Sequence, residues 1–329
     1  MKRSSFIGID ISKLTLDVCV YRPEHKEKKV FLKVLNTPKG HELFLKELRK
    51  LNVLIDEAFV CMEYCGVYGL ELGFYLETKI DYCFCNPLHI KRSLGLTRGK
   101  SDKLDSYRIA RFSYLFRDEL KPMKMPSDCL IQLKSLISER SRIVKSIVIE
   151  KQTLSDLTAT MSKPAKDRAE NRLTGLNIDK DAIEKEILEQ VKSVDKINKN
   201  YELLISITGI SLINAVVMIL CTNNFESITN PRSFACYCGV APFEHSSGTS
   251  IKGKTRVNQY ANKVVKTHLS NAARAAMMHD PELKAYYNRK RAEGKDHGTV
   301  MNALKFKLIT RAFAVIKRGT PYVKLKQVA

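Results

Sequence analysis

The sequence predicts an α/β domain followed by a mainly helical remainder, and three observations carry that prediction. Over roughly the first hundred residues, short runs of β-branched and aromatic residues alternate with helical apolar patterns. From about residue 126 the apolar residues fall instead on a three-four spacing sustained over long stretches. Past residue 204 helical patterns continue, interrupted by one basic segment rich in Ser and Gly. These shifts divide the chain into 1–125, a helical connector at 126–204 and a C-terminal portion at 205–329.

The elements follow in order. "SFIGID" is a short apolar strand, and "LTLDVCVY" alternates with period two. "KVFLKVLN", reached through the charged turn "RPEHKEKK", is a third strand and completes an antiparallel meander. Pro38 opens a helix with Phe44, Leu45, Leu48 and Leu51 on one face. "EAFVCMEY" is a fourth strand, "GVYGLELGFYLE" a helix and "DYCFCN" a fifth strand, after which "KSDKLDSYRIARF" opens another helix. The order β-β-β-α-β-α-β-α is that of a ribonuclease-H-like domain.

In the connector, Leu130, Leu133, Ile137, Val144, Ile147 and Leu154 form one apolar seam. After the polar break "SKPAKDRAENRLTG" a second runs through Ile183, Ile187, Val194, Ile197, Tyr201 and Leu204. The pattern predicts two long helices in a coiled-coil-like hairpin, its seam used for packing or dimerisation. Next, "ISITGISLINAVVMIL" sets a Thr-Gly-Ile turn between helical patterns. That is similar to a helix-hairpin-helix, whose backbone N–H groups meet a phosphate. A tight turn without a ligand fits equally, since Ser211 stands where a second glycine is usual. "GVAPFEHSSGTSIKGKTRV" reads as a basic loop, and "NKVVKTHLSNAARAAMMH" as a helix.

Composition narrows the function. The chain has 329 residues, 44% of them hydrophobic, and 56 Lys+Arg against 35 Asp+Glu leave a net charge of +21. That surplus favours a polyanionic partner, nucleic acid first. The nine cysteines include no Cys-x-x-Cys pair, and read as small buried hydrophobes in a reducing cytosol rather than a zinc site. Asp10 interrupts the N-terminal apolar run before a signal-peptide core forms, and no stretch reaches the ~18 apolar residues of a membrane helix. The expectation is a soluble, cytoplasmic protein with no membrane partner.

Carboxylates supply the chemistry. Asp10 ends the first strand and Glu63 lies near the end of the fourth, so in a sheet where those strands are neighbours both reach one edge. Asp102 and Asp105, at i and i+3 where a helix opens, share a face and are kept ionised by the positive helix start. Each alone is explained as a solvated or dipole-complementing helix acid. Four together, in so basic a chain, would repel one another, and divalent cations are the usual remedy; Mg²⁺ or Mn²⁺ suits such oxygen ligands and a phosphodiester substrate. Actin-like sugar kinases also begin with a strand ending in Gly-x-Asp, but their phosphate turns need Gly and Thr where Ser12-Lys13-Leu14 follows here. Lys91, Arg92, Arg98 and Lys100 flank the acids, and Lys252, Lys254, Arg256 and Lys263 follow "EHSSGTS"; both groups could line a phosphate track, although any one of them alone reads as solvated surface.

At these residues the chain resembles a family. "GIDISK", "CMEYCGVY", "NPLHIKRSLGLTRGKSDKLDSYRIARF", "TGIS" and "GVAPFEHSSGTSIKGKTRV" resemble, in order, the DEDD-type transposases of the insertion sequence 110 family, which are related to the Piv DNA invertases. The resemblance implies a RuvC-like N-terminal domain whose Asp10, Glu63, Asp102 and Asp105 hold the metal. It implies a C-terminal transposase domain with a nucleophilic serine before a glycine, here Ser247 before Gly248. It implies a structured guide RNA that pairs with target and donor DNA, and dimers to tetramers whose active sites draw on different protomers. On the residues alone, Ser246 and Ser250 are equal candidates, and His245 is a loop histidine that could serve as a base or contact phosphate. Ser211 and Ala261 depart from the family's glycines. A metal-only nuclease resembling Holliday-junction resolvases, with Ser247 structural, is the alternative; a non-enzymatic nucleic-acid-binding protein is the second rival.

Overall fold

The computed structural model describes residues 3–25, 29–95, 99, 101–157, 159–247 and 251–323, without the side chains of 245–247, 251, 252 and 254. The chain divides into two compact units, 1–125 and 126–329.

The first unit is built on a five-stranded sheet. Strands β1 (Ser5–Ile11), β2 (Thr15–Tyr21) and β3 (Val30–Leu35) form the antiparallel meander, and β4 (Ala58–Glu63) and β5 (Asp81–Cys85) add in parallel, giving the order β3-β2-β1-β4-β5. This is the ribonuclease-H-like arrangement, with β1 and β4 side by side. Helices α1 (Pro38–Lys50) and α2 (Leu70–Leu76) cover one face over a core that includes Ile7, Ile9, Phe44, Leu48, Val60 and Leu72. Thr37 caps α1 by accepting from the Gly40 N–H, and Pro38 supplies the fixed φ of its first turn. A short helix, α3 (Pro87–Ser93), then leads to α4 (Asp102–Leu115), which covers the opposite face over Phe6, Phe59, Cys61 and Cys83.

One residue sets how close α4 comes. A Cβ on Gly8 would lie 2.2 Å from both the Ala110 nitrogen and the Ser106 oxygen, so the helix backbone rests directly on β1.

The second unit is mainly helical. Helices α5 (Asp128–Leu157) and α6 (Lys163–Lys192) form the expected hairpin, but α6 begins inside the stretch read as a polar break. Most of residues 163–175 are exposed or half-buried, and ion pairs such as Lys166–Glu170 along the helix and Arg172–Glu150 across the hairpin support it there in place of an apolar stripe. The chain continues through α7 (Asp195–Ile205), α8 (Leu212–Cys221) and α9 (Pro231–Tyr237). Strands β6 (Pro242–Ser247) and β7 (Ile251–Val257) precede α10 (Lys263–His279), α11 (Pro281–Ala292) and α12 (His297–Arg318). The connector is not a separate body: Leu130, Leu133, Ile183 and Ile187 share one core with Val216, Phe234, Leu269 and Leu308. The Thr-Gly-Ile turn is tight, with Gly209 at φ +97°, and a Cβ there would sit 2.6 Å from the Ala272 oxygen. The segment read as a loop is instead a two-stranded antiparallel hairpin. Runs of Lys, Ser and Gly carry no apolar alternation from which a strand could be read. Among the described residues no helix is long and apolar enough to cross a membrane.

Gly8→Ala is expected to cost the protein about 3 kcal/mol, because backbone and not a pliable side chain occupies the space a methyl would need. Gly175→Ala, in the middle of α6 with nothing within 4 Å, is expected to gain roughly 0.5–1 kcal/mol. Chemical denaturation of the two variants checks both signs.

Candidate active site

The acids gather where the sheet's central strands end. The parallel register pairs Ile9 with Met62, which brings the next residues, Asp10 and Glu63, side by side at the carboxyl edge. That edge is where open α/β sheets bind ligands. The Ser101 hydroxyl caps α4 by accepting from the Leu104 N–H at 3.2 Å, and Asp102 and Asp105 occupy its first turn. Since the next turn of α4 rests on Gly8, the first turn reaches toward Asp10, two residues further along β1.

Electrostatics records the convergence. The Asp10 carboxyl is pushed up to about 6, first by burial and then by the charges of Glu63, Asp105, Asp102 and Asp17. Asp17 is a fifth acid that sequence reading missed. The β1–β2 hairpin register pairs it directly with Asp10, a consequence of the short turn at 12–14 that the strand alternation could have revealed. Its charge is offset by Lys33 at 3.1 Å, as that of Asp105 is by Arg108 at 2.7 Å. Arg108 also donates to the Gly99 carbonyl at 2.9 Å, fastening the chain just before α4. Asn36 does similar work across the site. Its Nδ2 donates to the Ser12 and Tyr68 carbonyls at 3.0 and 2.9 Å, tying the turn after β1 to the segment after β4.

Among the described residues, the side chains whose ligand atoms all lie within 4.8 Å of one another are Cys61, Cys83 and Cys85, not the acids. No three of the acids are drawn that close together among the described residues. The thiols lie in the α4-side core, 3.5 Å apart from Cys61 to Cys85 and from Cys83 to Cys85. Hydrogen bonding to Cys83 and Cys85, with burial, holds the Cys61 thiol well above its ordinary range. The acids nevertheless suit a divalent cation. They are hard oxygen donors, and the raised Asp10 carboxyl marks negative charge that a cation would relieve.

The other expected residues are distributed. Lys91 and Arg92 are exposed in the last turn of α3, while Arg98 and Lys100 lie outside the described residues. Ser247 ends β6, its backbone paired with Ile251, and belongs to the second unit, whereas the acids belong to the first. Arg256 is exposed on β7, opposite Phe243, and Lys263 is exposed at the start of α10. Lys252 and Lys254 belong to β7, with side chains outside the described set, as those of His245 and Ser246 are.

The sheet order, with acids at its carboxyl edge, is that of a ribonuclease-H-like architecture, and comparison supplies the family. A family model described as a transposase, of the DEDD IS110 type, matches residues 7–161. A second, described as a transposase of the IS116/IS110/IS902 family, matches residues 201–288. The pilin gene-inverting protein of Moraxella bovis is 23% identical over 326 residues, 97% of this chain and 98% of that protein. The transposase for insertion sequence element IS1111A of Coxiella burnetii is 21% identical over 305 residues, 85% of this chain and 79% of that protein. A solved structure of T. thermophilus RuvC in complex with Holliday junction substrate is 15% identical, covering 37% of this chain and 100% of that one, with a TM-score of 0.28. The chain belongs to the IS110 family of DEDD transposases. It is accordingly a recombinase, with DNA as substrate.

The Asp10 carboxyl titrates near 6 in the fold against 3.8 in an unfolded chain, so between those values the folded protein holds the extra proton and loses stability as pH rises. With divalent ions chelated, Asp10→Asn is expected to remove that loss. Solvent screening at this partly exposed group limits the gain to about 1 kcal/mol at pH 7, and at pH 3 the two proteins should unfold alike. Urea unfolding across the pH series reads it.

Proposed function

We propose that this transposase is an RNA-guided recombinase that cuts and rejoins DNA through a phosphoserine intermediate on Ser247. In this reading Asp10, Glu63, Asp102 and Asp105 hold Mg²⁺ or Mn²⁺. The observation that carries the metal site is the convergence of Asp10 and Glu63, side by side at the sheet's carboxyl edge, with the first turn of α4, which bears Asp102 and Asp105; the raised Asp10 carboxyl agrees with it. A bound divalent ion would make the scissile phosphate a better electrophile.

The chain's own groups do the rest. The Ser247 hydroxyl attacks phosphorus, giving up its proton as a serine–phosphate bond forms. The bond from phosphorus to a sugar oxygen breaks, and that oxygen leaves as a hydroxyl. Attack by the incoming strand's hydroxyl on the phosphoserine reverses the sequence and restores Ser247, so no free double-strand break is needed. A serine hydroxyl needs such an activated partner or a base to react at neutral pH. Asn36 and Arg108 act as positioning residues, fixing the turn and loop around the acids.

The remaining assignments are supported by chemistry of the same kind. A net charge of +21 favours polyanionic partners, which suits a guide RNA as well as the target and donor DNA it would pair with. Lys91, Arg92, Arg98 and Lys100 would serve phosphates near the acids, and Lys252, Lys254, Arg256 and Lys263 those near the serine. The acids lie in the unit 1–125 and Ser247 in the unit 126–329, a division that suits composite sites in a dimer or tetramer. Val148 and Ile149 on α5 and Ile178 on α6, each about 60% exposed, offer the hairpin apolar surface for self-association. In this reading the segments 1–125, 126–204 and 205–329 supply metal chemistry, assembly and nucleophile, and the protein works in the cytoplasm.

The metal-only nuclease reading is separated by one experiment. Denaturing electrophoresis of trapped reactions should show a protein–DNA adduct with the wild-type chain and none with Ser247→Ala; normal cutting by that variant would favour the nuclease. Glu63→Gln and Asp102→Asn should each lower the rate at least a hundredfold. Mg²⁺ at ten times its dissociation constant should stabilise the wild type by about 1.4 kcal/mol, an effect Asp10→Asn should largely abolish. RNA copurifying with the protein, once sequenced, should map beside its gene.

A further inference from the structure

The second unit contains a cavity of about 1030 Å³ at the base of the β6–β7 hairpin, between that hairpin and α12. Its walls are largely apolar, with Val240, Phe243, Val257 and Phe306 among them, and Phe243 and Phe306 are 47% and 37% exposed. Two lysines, Lys266 and Lys305, also line it.

Lys305 is the anomaly. It is only 9% exposed, yet it has no hydrogen bond or ion pair with any described residue. Burial lowers its pKa, and the neighbouring charge of Lys266 lowers it further. A lysine so largely covered, set beside a second cation with no acid paired to it, costs stability and returns nothing to the fold. Lys266 stands in the first turn of α10, where the helix start adds positive potential. Arg232 lines the same space. The acid at its wall, Asp296, is engaged in capping α12 through the Thr299 N–H at 3.0 Å and the Thr299 hydroxyl. Asn302 fixes the geometry by donating from α12 to the Val240 carbonyl at 2.6 Å.

A cationic pair set among exposed aromatic rings matches a nucleotide: phosphate on the lysines, base on the phenylalanines. We propose that this cavity takes an unpaired nucleotide of the DNA strand being recombined, held by Lys266 and Lys305 at its phosphate and by Phe243 and Phe306 at its base. The proposal rests on the reading that Ser247 is the nucleophile. Phe243 lies on the same strand, four residues earlier and hence ~13 Å away at ~3.3 Å per residue. A nucleotide seated there would anchor the strand a short way from the phosphate under attack.

The test is fluorescence anisotropy of a labelled single-stranded oligodeoxynucleotide against the full chain over a salt series. Lys305→Met and Lys266→Gln should each weaken binding about tenfold at low salt and reduce the slope of log affinity on log salt by about 0.7. Phe243→Ala should weaken binding roughly tenfold and leave the slope unchanged. Lys305→Met should also unfold at a higher temperature than the wild type, which separates lost binding from lost folding. Unchanged affinity and slope in both lysine variants would overturn the proposal, as would an RNA of the same sequence that binds as tightly and loses as much. Ser247→Ala should bind the oligonucleotide like the wild type, so a failed adduct test and a failed pocket test are read separately.

Discussion

The packing of α4 against β1 at Gly8 is the constraint on which the acidic site depends. Backbone meets backbone there, leaving no room for a methyl group. The consequence runs along both elements. Two residues past Gly8 the strand presents Asp10, and just before Ser106 the helix presents Asp105, with Asp102 one turn earlier. A larger residue at Gly8 would lift the helix and separate the acids without altering any of them. The site is thus set by an absence of side chain as much as by the carboxylates themselves.

Holding acids together costs energy, and the chain offsets the cost selectively. Asp17 is paired with Lys33 and Asp105 with Arg108, while Asp10 carries the raised carboxyl. A carboxyl raised by burial and by its neighbours is the group that gains most from a cation. The same logic, with sign reversed, applies to Lys266 and Lys305. In both places like charges are brought together, and the group at the centre, Asp10 or Lys305, is shifted by burial and by its neighbours toward its neutral form. Uncompensated charge of either sign is the clearest functional mark this structure carries.

Much of the first unit was legible in the sequence because its strands are buried and alternate, so "LTLDVCVY" and "DYCFCN" carry their own pattern. The neighbouring of Asp10 and Glu63 followed from strand order alone. What sequence reading lost were elements with little burial. The seven-residue helix at Pro87–Ser93 is too short for a period, and "SKPAKDRAENRLTG" is helical although solvated. Strands β6 and β7 looked like a basic loop because a two-stranded ribbon need not bury either face. Asp17 was missed because cross-strand register, not spacing along the chain, places it opposite Asp10. The thiol cluster was missed for the same reason, since Cys61 and Cys83 meet only as partners on adjacent strands.

The ribbon has a mechanical consequence for the proposed nucleophile. Two strands alone are marginally stable in water, so the position of such a hairpin is set by what lies against its base. Here that base adjoins the cavity beneath Phe243, with Arg256 paired across from it and α12 forming the opposite wall. Filling the cavity with a base and a phosphate would add apolar contact on one side of the ribbon and neutralise the cations on the other. Substrate binding and the placing of Ser247 would then be a single event. Coupling the position of the strand that carries Ser247 to the DNA it cuts is a control that a recombinase needs more than a nuclease does.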